Sequence, residues 1–317
     1  MTDLSLIKTG LLALLRDPDH RDAGRALDDL VACLACDAAE LDRAAQALIR
    51  LGYGIDRRDG RWRLTSAPDI PWPWEFPGRQ GRMHYFPETT STMDEARRLA
   101  EAGCPHLTVA VAGIQTRGRG RMDRVWSSDE GGLYFTVVLR PADVPAVQAV
   151  KFNFMASLAL VETLCQEYGI DARAKWPNDL MAGDRKLSGM LSEMAADGQI
   201  IDYVNIGIGL NVNNDPAVFE PRAVSLRSLT GRAFSRPELL GRFLDRFEAA
   251  LLARPDFTAV MAAWKTHAGS LNREVEVVTL KERLRGFAED VDGQGALILR
   301  LADGSRRTIC CGDCFYG

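Results

Sequence analysis

Apolar residues at Leu4, Leu6, Ile7, Leu11, Leu12, Leu14 and Leu15 recur at helical spacing and predict a helix over residues 4–15 with a wide apolar face. A second helix is predicted over about residues 23–34. A third starts at Asp37, a favourable cap residue, and runs through Leu41, Ala44, Ala45, Leu48 and Ile49 to Gly52. Tyr53 to Leu64 alternates around Asp59-Gly60, the signature of a hairpin. Three helices and a hairpin within residues 1–66 predict a winged helix-turn-helix domain. Residues 67–82 are crowded with Pro68, Pro71, Trp72, Pro73, Trp74 and Pro77; proline fixes its φ and lacks an N–H, so this stretch reads as a stiff linker.

A larger domain is predicted over residues 83–269. Ser91 or Thr92 caps a helix reaching Gly103, with Thr92-x-x-Glu95 as a capping box. Residues 108–114 and 133–139 read as strands flanking a Gly/Arg loop, 146–168 as a long helix, and 187–195 and 200–212 as strands paired around Asp197-Gly198. Further helices follow from Ser235-x-x-Glu238 and over residues 257–267. Strands and helices do not alternate strictly, so the expected class is α+β with a mixed central sheet. Over residues 270–317 the pattern changes to short strands broken at Asp292-Gly293 and Asp303-Gly304, which predicts a small SH3-like β-barrel.

Composition narrows the picture without choosing a function. The 317 residues carry a net charge of −4, so bulk attraction to nucleic acid or an anionic membrane is not indicated. No apolar run approaches the roughly 18 residues of a membrane span. The start of the chain, with Asp3, lacks the pattern of a secretory signal, so the expected compartment is the cytoplasm. The seven cysteines show no disulfide framework.

Two polar clusters carry the chemistry. In Gln115-Thr116-Arg117-Gly118-Arg119-Gly120-Arg121-Met122-Asp123-Arg124-Val125-Trp126, bare glycine backbone beside guanidinium forks suits phosphate or carboxylate. The spacing is neither a Walker A loop nor a dinucleotide fingerprint. Alone it is equally a solvated basic loop. In Lys175-Trp176-Pro177-Asn178-Asp179, proline holds polar groups on a stiff turn. Asp179 is suited to Mg²⁺ through one carboxylate, with nucleotide phosphates completing the shell. Asn178 both donates and accepts. Lys186, where the chain re-enters a strand, can neutralise charge on a carboxylate attacking a phosphate, or be an exposed strand-edge lysine. A third segment, Asn205-Ile206-Gly207-Ile208-Gly209-Leu210-Asn211, has glycines where a ring or another backbone approaches closely.

Taken in order, Gly118-Arg119-Gly120-Arg121, Arg124, Trp126, Lys175-Trp176-Pro177-Asn178-Asp179 with Lys186, and Gly207-Ile208-Gly209-Leu210-Asn211 resemble the biotin protein ligases, of the larger type with an N-terminal winged helix. The resemblance covers essentially the whole chain. It implies a two-step reaction: biotin and ATP give biotinyl-5'-AMP and pyrophosphate, and biotin then passes to one lysine of a biotin carboxyl carrier domain. It implies that Ser91, Thr92, Gln115, Gly118 and Arg119 hold biotin, and that Arg119, Arg121 and Arg124 shape a loop closing over biotin and phosphates. Lys186 would bridge the biotin carboxylate and α-phosphate, Asp179 would serve Mg²⁺, and Asn178 and Asn211 would lie on the nucleotide side. Trp126 would wall the adenine or brace the loop against Lys175. Met93 stands where the family usually has Asn, and Met122-Asp123 where a basic residue and a Gly are common; these departures remove a polar contact and lower the charge of the loop.

In this family the winged helix can repress biotin genes. Here the candidate recognition helix carries Asp37, Glu40 and Asp42 in its first half, which argues against tight DNA binding, while Arg57, Arg58, Arg61 and Arg63 offer a basic wing. A homodimer stays open. The alternatives are a lipoate or octanoate ligase, which shares the fold, and a biotin-responsive repressor.

Overall fold

The computed structural model describes residues 4–20, 23–253 and 256–316. The chain divides into two compact units: Met1–Tyr85 with Ser235–Pro237, and Phe86–Phe234 with Glu238–Gly317.

In the first unit, α1 (Leu4–Arg16) buries Ile7, Leu11, Leu12 and Leu15. The short strand β1 (Arg25–Ala26) precedes α2 (Leu27–Leu34), so the second helix starts later than its apolar pattern predicts; β1 pairs with residues 61–62 of the hairpin. Helix α3 (Ala38–Arg50) opens on a capping box, Glu40 N to Asp37 Oδ1 at 2.7 Å and Asp37 N to Glu40 Oε2 at 3.2 Å, and buries Leu41, Ala44, Ala45 and Leu48 at helical spacing. The hairpin is β2 (Gly54–Arg58) and β3 (Arg61–Ser66).

Residues 67–82 are not a bare spacer. Prolines exclude α-helix and ladder pairing here, but leave two 3₁₀ turns, Pro73–Glu75 and Gln80–Arg82. Trp72 and Trp74 stack at 5.1 Å and pack on the helical core. Trp74 Nε1 donates to Tyr53 Oη at 3.0 Å, the same hydroxyl donates to Glu75, and Glu75 meets Arg16 at 2.7 Å.

The second unit is organised by a seven-stranded sheet in the order β4-β5-β6-β10-β9-β8-β7. Its strands are β4 (Met83–Thr89), β5 (Thr108–Gln115), β6 (Leu133–Leu139), β7 (Ala172–Lys175), β8 (Asp179–Ala182), β9 (Arg185–Asp197) and β10 (Ile200–Leu210). The neighbours from β5 through to β7 are antiparallel. Helix α4 (Thr92–Glu101) packs on β5, β6 and β10, and α5 (Ala149–Glu162) continues into a wider π-turn over Thr163–Glu167. Helices α6 (Leu226–Thr230), α7 (Arg236–Leu252) and α8 (Phe257–Thr266) follow. The N-cap of α4 is Ser91; Thr92 lies inside the helix, and Glu95 accepts from Thr89 Oγ1 at 2.6 Å, so the Thr92-x-x-Glu95 capping box does not form.

The C-terminal part is a five-stranded antiparallel sheet in the order β14-β13-β12-β11-β15. Its strands are β11 (Arg273–Val278), β12 (Arg283–Val291), β13 (Leu297–Arg300), β14 (Arg306–Ile309) and β15 (Asp313–Tyr316). Among the described residues no helix is long and apolar enough to cross a membrane.

Candidate active site

The segment between β7 and β8 is a tight turn whose Trp176–Pro177 peptide is cis. It is fixed from below. Trp176 is buried, its Nε1 donates to Gly295 O at 2.9 Å, and its N donates to Ser270 Oγ at 2.8 Å. This seats the C-terminal sheet on the turn and leaves Asn178 and Asp179 facing a cleft of about 300 Å³. Asn178 Nδ2 donates to Met190 O at 2.5 Å, which orients its carbonyl. Lys186, at the start of β9, places Nζ 2.7 Å from Asp179 Oδ1.

The Gly/Arg loop forms a flap on the opposite wall. It is a short hairpin: Arg119 bridges Val125, Gly120 N donates to Arg124 O at 2.7 Å, and Arg124 N donates to Arg121 O at 3.2 Å. Met122 and Asp123 form its tip with φ of 53° and 58°, so both pivots occupy the left-handed region that glycine usually fills. Gly118 does not line the cleft. It lets the chain double back: a Cβ there would lie 2.3 Å from Trp126 O.

Flap and turn meet. Arg121 Nη1 donates to Asn178 Oδ1 at 3.0 Å and to Gly312 O at 3.3 Å, and Arg124 pairs with Asp313. The Trp126 ring lies 5.3 Å from Lys186 Nζ, over Gly189 and Gly209. The predicted bracing of Trp126 against Lys175 is therefore corrected to Lys186. Lys175 instead faces Tyr316 and Phe315 at 5.1 and 5.7 Å, and burial lowers its pKa. Next to it, burial pushes the Cys314 thiol up to about 11.

At the other end of the cleft, Gln115 Oε1 accepts from Thr92 N at 2.7 Å and Thr92 Oγ1 at 3.1 Å, while Gln115 Nε2 donates to Ser128 Oγ at 2.7 Å. Ser91 also lines this end. Met93 fills the space above Gly207, where a Cβ would meet its Sδ at 2.5 Å. The bare strand positions read from the sequence thus receive one ring and one thioether. Asn211 lines the cleft and accepts from Asn214 Nδ2 at 3.1 Å.

All the sequence-predicted site residues except Gly118 face this one cleft: Ser91, Thr92, Gln115, Arg119, Arg121, Arg124, Trp126, Asn178, Asp179, Lys186 and Asn211. Sequence reasoning missed Glu220 and Phe219, which lie in a loop without periodicity, and Asp313, which reaches the cleft from a strand too short to signal itself. The four cations of the lining, Arg119, Arg121, Arg124 and Lys186, stand among the carboxylates of Asp179, Glu220 and Asp313. Such a wall presents a cationic and hydrogen-bonding surface to two anions and can exchange its own carboxylates for theirs.

Residues 85–211 match the biotin/lipoate A/B protein ligase family, and residues 270–317 match the biotin protein ligase C-terminal domain. The bifunctional ligase/repressor BirA of Bacillus subtilis is 31% identical over 83% of this chain and 82% of its own length. The biotin–[acetyl-CoA-carboxylase] ligase of Paracoccus denitrificans is 34% identical over 72% of this chain and 98% of its own. Among solved structures, the biotin protein ligase of Aquifex aeolicus in complex with biotin and ATP is 29% identical, with a TM-score of 0.63 over 73% of this chain and 97% of that one. On these matches, which span both the central and the C-terminal sheet, the chain belongs to the biotin protein ligase family.

Proposed function

We propose that this chain is a biotin–protein ligase that forms biotinyl-5'-AMP from biotin and ATP and transfers biotin to a lysine of a carboxyl carrier domain. The observation that carries the reading is the meeting of flap and turn: Arg121 and Lys186 line one cleft, with Asn178 bonded to Arg121 and Asp179 bonded to Lys186.

In the first step a biotin carboxylate oxygen forms a bond to the α-phosphorus, and the bond to pyrophosphate breaks. In the second, the uncharged amine of the carrier lysine attacks the anhydride carbonyl; an amide forms, AMP leaves with the electron pair of the broken C–O bond, and the amine proton passes to solvent. No covalent enzyme nucleophile is needed. The enzyme must bring together two anions that repel each other. Lys186, with three N–H donors, holds the carboxylate and α-phosphate together and meets the charge that grows at phosphorus. Arg121 and Arg124 hold the phosphates, and Asn178 keeps Arg121 aimed. Thr92 and Gln115, bonded to each other, and Ser91, which caps α4, present a fixed polar end for the biotin ring system, with Arg119 closing that end and Gly118 letting the chain turn behind it. Trp126 and Asn211 border the nucleotide, and the flap keeps water from the anhydride.

The donor set fits Mg²⁺ delivered with ATP: of the three carboxylates lining the cleft, Asp313 is paired with Arg124 and Asp179 stands beside Lys186, so Asp179 would supply one carboxylate to an ion that keeps phosphate and water ligands. Among the described residues no cluster of three or more His, Cys, Asp or Glu is suited to bind a metal without a substrate. When bound there, the ion supplies charge neutralisation on the phosphates.

The finer architecture belongs to the same proposal: a winged helix-turn-helix over residues 1–66, a ligase domain over 83–269 and an SH3-like barrel over 270–317, working in the cytoplasm. Operator binding by the first of these is weak or absent. Asp42 on α3 takes Arg57 at 2.5 Å, and Asp56 takes Arg58 at 3.1 Å, so two arginines of the wing already have carboxylate partners. A salt-titrated DNA-binding assay checks this, and sub-micromolar, sequence-selective affinity would reverse it. The activity itself is tested by incubating the protein with ATP, Mg²⁺ and biotin, lipoate or octanoate, then measuring adenylate and label on a carrier domain. Biotin alone is expected to react; a preference for lipoate or octanoate would replace this reading with its nearest alternative.

A further inference from the structure

The sheet face under the flap is built in rungs that pair one residue of β9 with one of β10: Gly189 with Gly209, Leu191 with Gly207, and Glu193 with Asn205. The first rung is bare and receives the Trp126 indole, and Met93 covers Gly207 on the second. The third is charged. Glu193 takes Arg119 in a two-pronged pair, with a short bond from Nη2 to Oε1 and a second from Nη1 to Oε2 at 3.3 Å. Its Oε2 also takes Arg97 Nη2 at 2.6 Å, and Asp94 meets Arg119 Nη1 at 3.3 Å. Asn205, across the rung, is buried and neither of its amide atoms has a partner, so it gives Glu193 no hydrogen bond.

Arg119 stands at the root of the flap, bridged to Val125 on the returning strand. Its guanidinium is turned onto Glu193, in the middle of a sheet strand. We propose that Glu193 is a positioning residue for the ligase reaction: through Arg119 its carboxylate latches the root of the flap to β9, and so sets the height of the flap backbone and Arg121 over the acid-binding end of the cleft. The proposal rests on the reading of the cleft as a biotin-adenylating centre.

The chemistry of the pair selects the variants. Glu193→Gln keeps the size of the side chain but turns one accepting oxygen into an N–H₂, which breaks one prong of the fork. Arg97 shares Glu193 but hangs from α4, outside the flap. Arg97→Ala therefore removes a neighbouring ion pair and leaves the latch in place.

The test uses the full chain. Trypsin cleavage after Arg121 and Arg124 is followed by mass spectrometry without ligand, with cuts elsewhere in the chain as the internal reference. KM for biotin and kcat for adenylate formation are measured in parallel. Glu193→Gln is expected to speed flap cleavage and raise KM for biotin by roughly tenfold each, the scale of one charge-assisted hydrogen bond in a partly exposed pair, with kcat nearly unchanged. Arg97→Ala is expected to match wild type in both. Wild-type flap cleavage in Glu193→Gln, equal effects in Arg97→Ala, or protection lost equally throughout the chain would each overturn the latch. Were wild-type protein to make no biotinyl-adenylate, the functional reading would fall, and the cleavage comparison would still decide the latch.

Discussion

Gly209→Ala tests the packing that puts Trp126 in the cleft. A Cβ at 209 would lie 2.4 Å from both Cε2 and Nε1 of the indole and 3.0 Å from Cδ1. Carbon atoms pack at about 3.5 Å, so the ring would have to retreat by about 1 Å. It has little room. A Cβ at Gly189, on the same rung, would already be 2.8 Å from Cζ3, and the backbone is held by Trp126 N to Gly118 O at 2.9 Å. Overpacking of this kind costs about 1–3 kcal/mol. The ring sits 5.3 Å from Lys186 Nζ, so its retreat would shift the ammonium proposed to align the two substrates. At about 1.4 kcal/mol per decade, kcat/KM for adenylate formation is expected to fall roughly tenfold to hundredfold. The assay is biotin-dependent pyrophosphate release, with biotin and ATP varied in turn. A kcat/KM within twofold of wild type would refute the argument, since the indole would then not occupy the rung.

Other perturbations follow from the same physics. Gly241 lies inside α7 with nothing within 4 Å of an added Cβ, so Gly241→Ala is expected to stabilise the protein by about 0.5–1 kcal/mol, seen as a higher Tm with unchanged activity. Burial holds the Cys314 thiol at about 11 against an ordinary value of 9.0. Its contribution to stability is therefore complete below pH 9 and is lost as pH rises from there toward 11, by up to about 2.5 kcal/mol. The lowered pKa of Lys175 acts in the opposite direction in the alkaline range, so the contribution is read as the difference between wild-type and Cys314→Ala melting curves at pH 8, 9.5 and 10.5. Wild type should lose its margin over the variant as pH rises; a constant difference would contradict the assignment.

What the sequence disclosed depended on whether a local rule was strong enough to survive packing. Alternation across Asp197-Gly198 placed β9 and β10, because an eleven-residue strand with glycines on one face has few other readings. Proline marked the turn at Trp176–Pro177, but the strands on either side, Ala172–Lys175 and Asp179–Ala182, are four residues long and show no period. Pro87 hid β4, which lies at the sheet edge where a missing N–H is tolerated. Ser91 rather than Thr92 caps α4, because the Thr92 hydroxyl is drawn to Gln115 and receives a bond from Thr136 at 2.9 Å. The residues of the cleft were legible as a set. Their partners were not: that Trp126 meets Lys186 and not Lys175, that Arg119 turns to Glu193, and that Asp313 reaches Arg124 all follow from strand register and from docking of the C-terminal sheet.

In the proposed reaction Lys186 holds a carboxylate against the α-phosphate of ATP. Biotin-dependent exchange of labelled pyrophosphate into ATP by Lys186→Ala tests it most directly, since exchange reports the first step alone. A loss of at least about tenfold is expected, reaching toward the roughly hundredfold scale of a missing charge-stabilising donor, in a protein that melts like wild type. Wild-type exchange in that variant would contradict it.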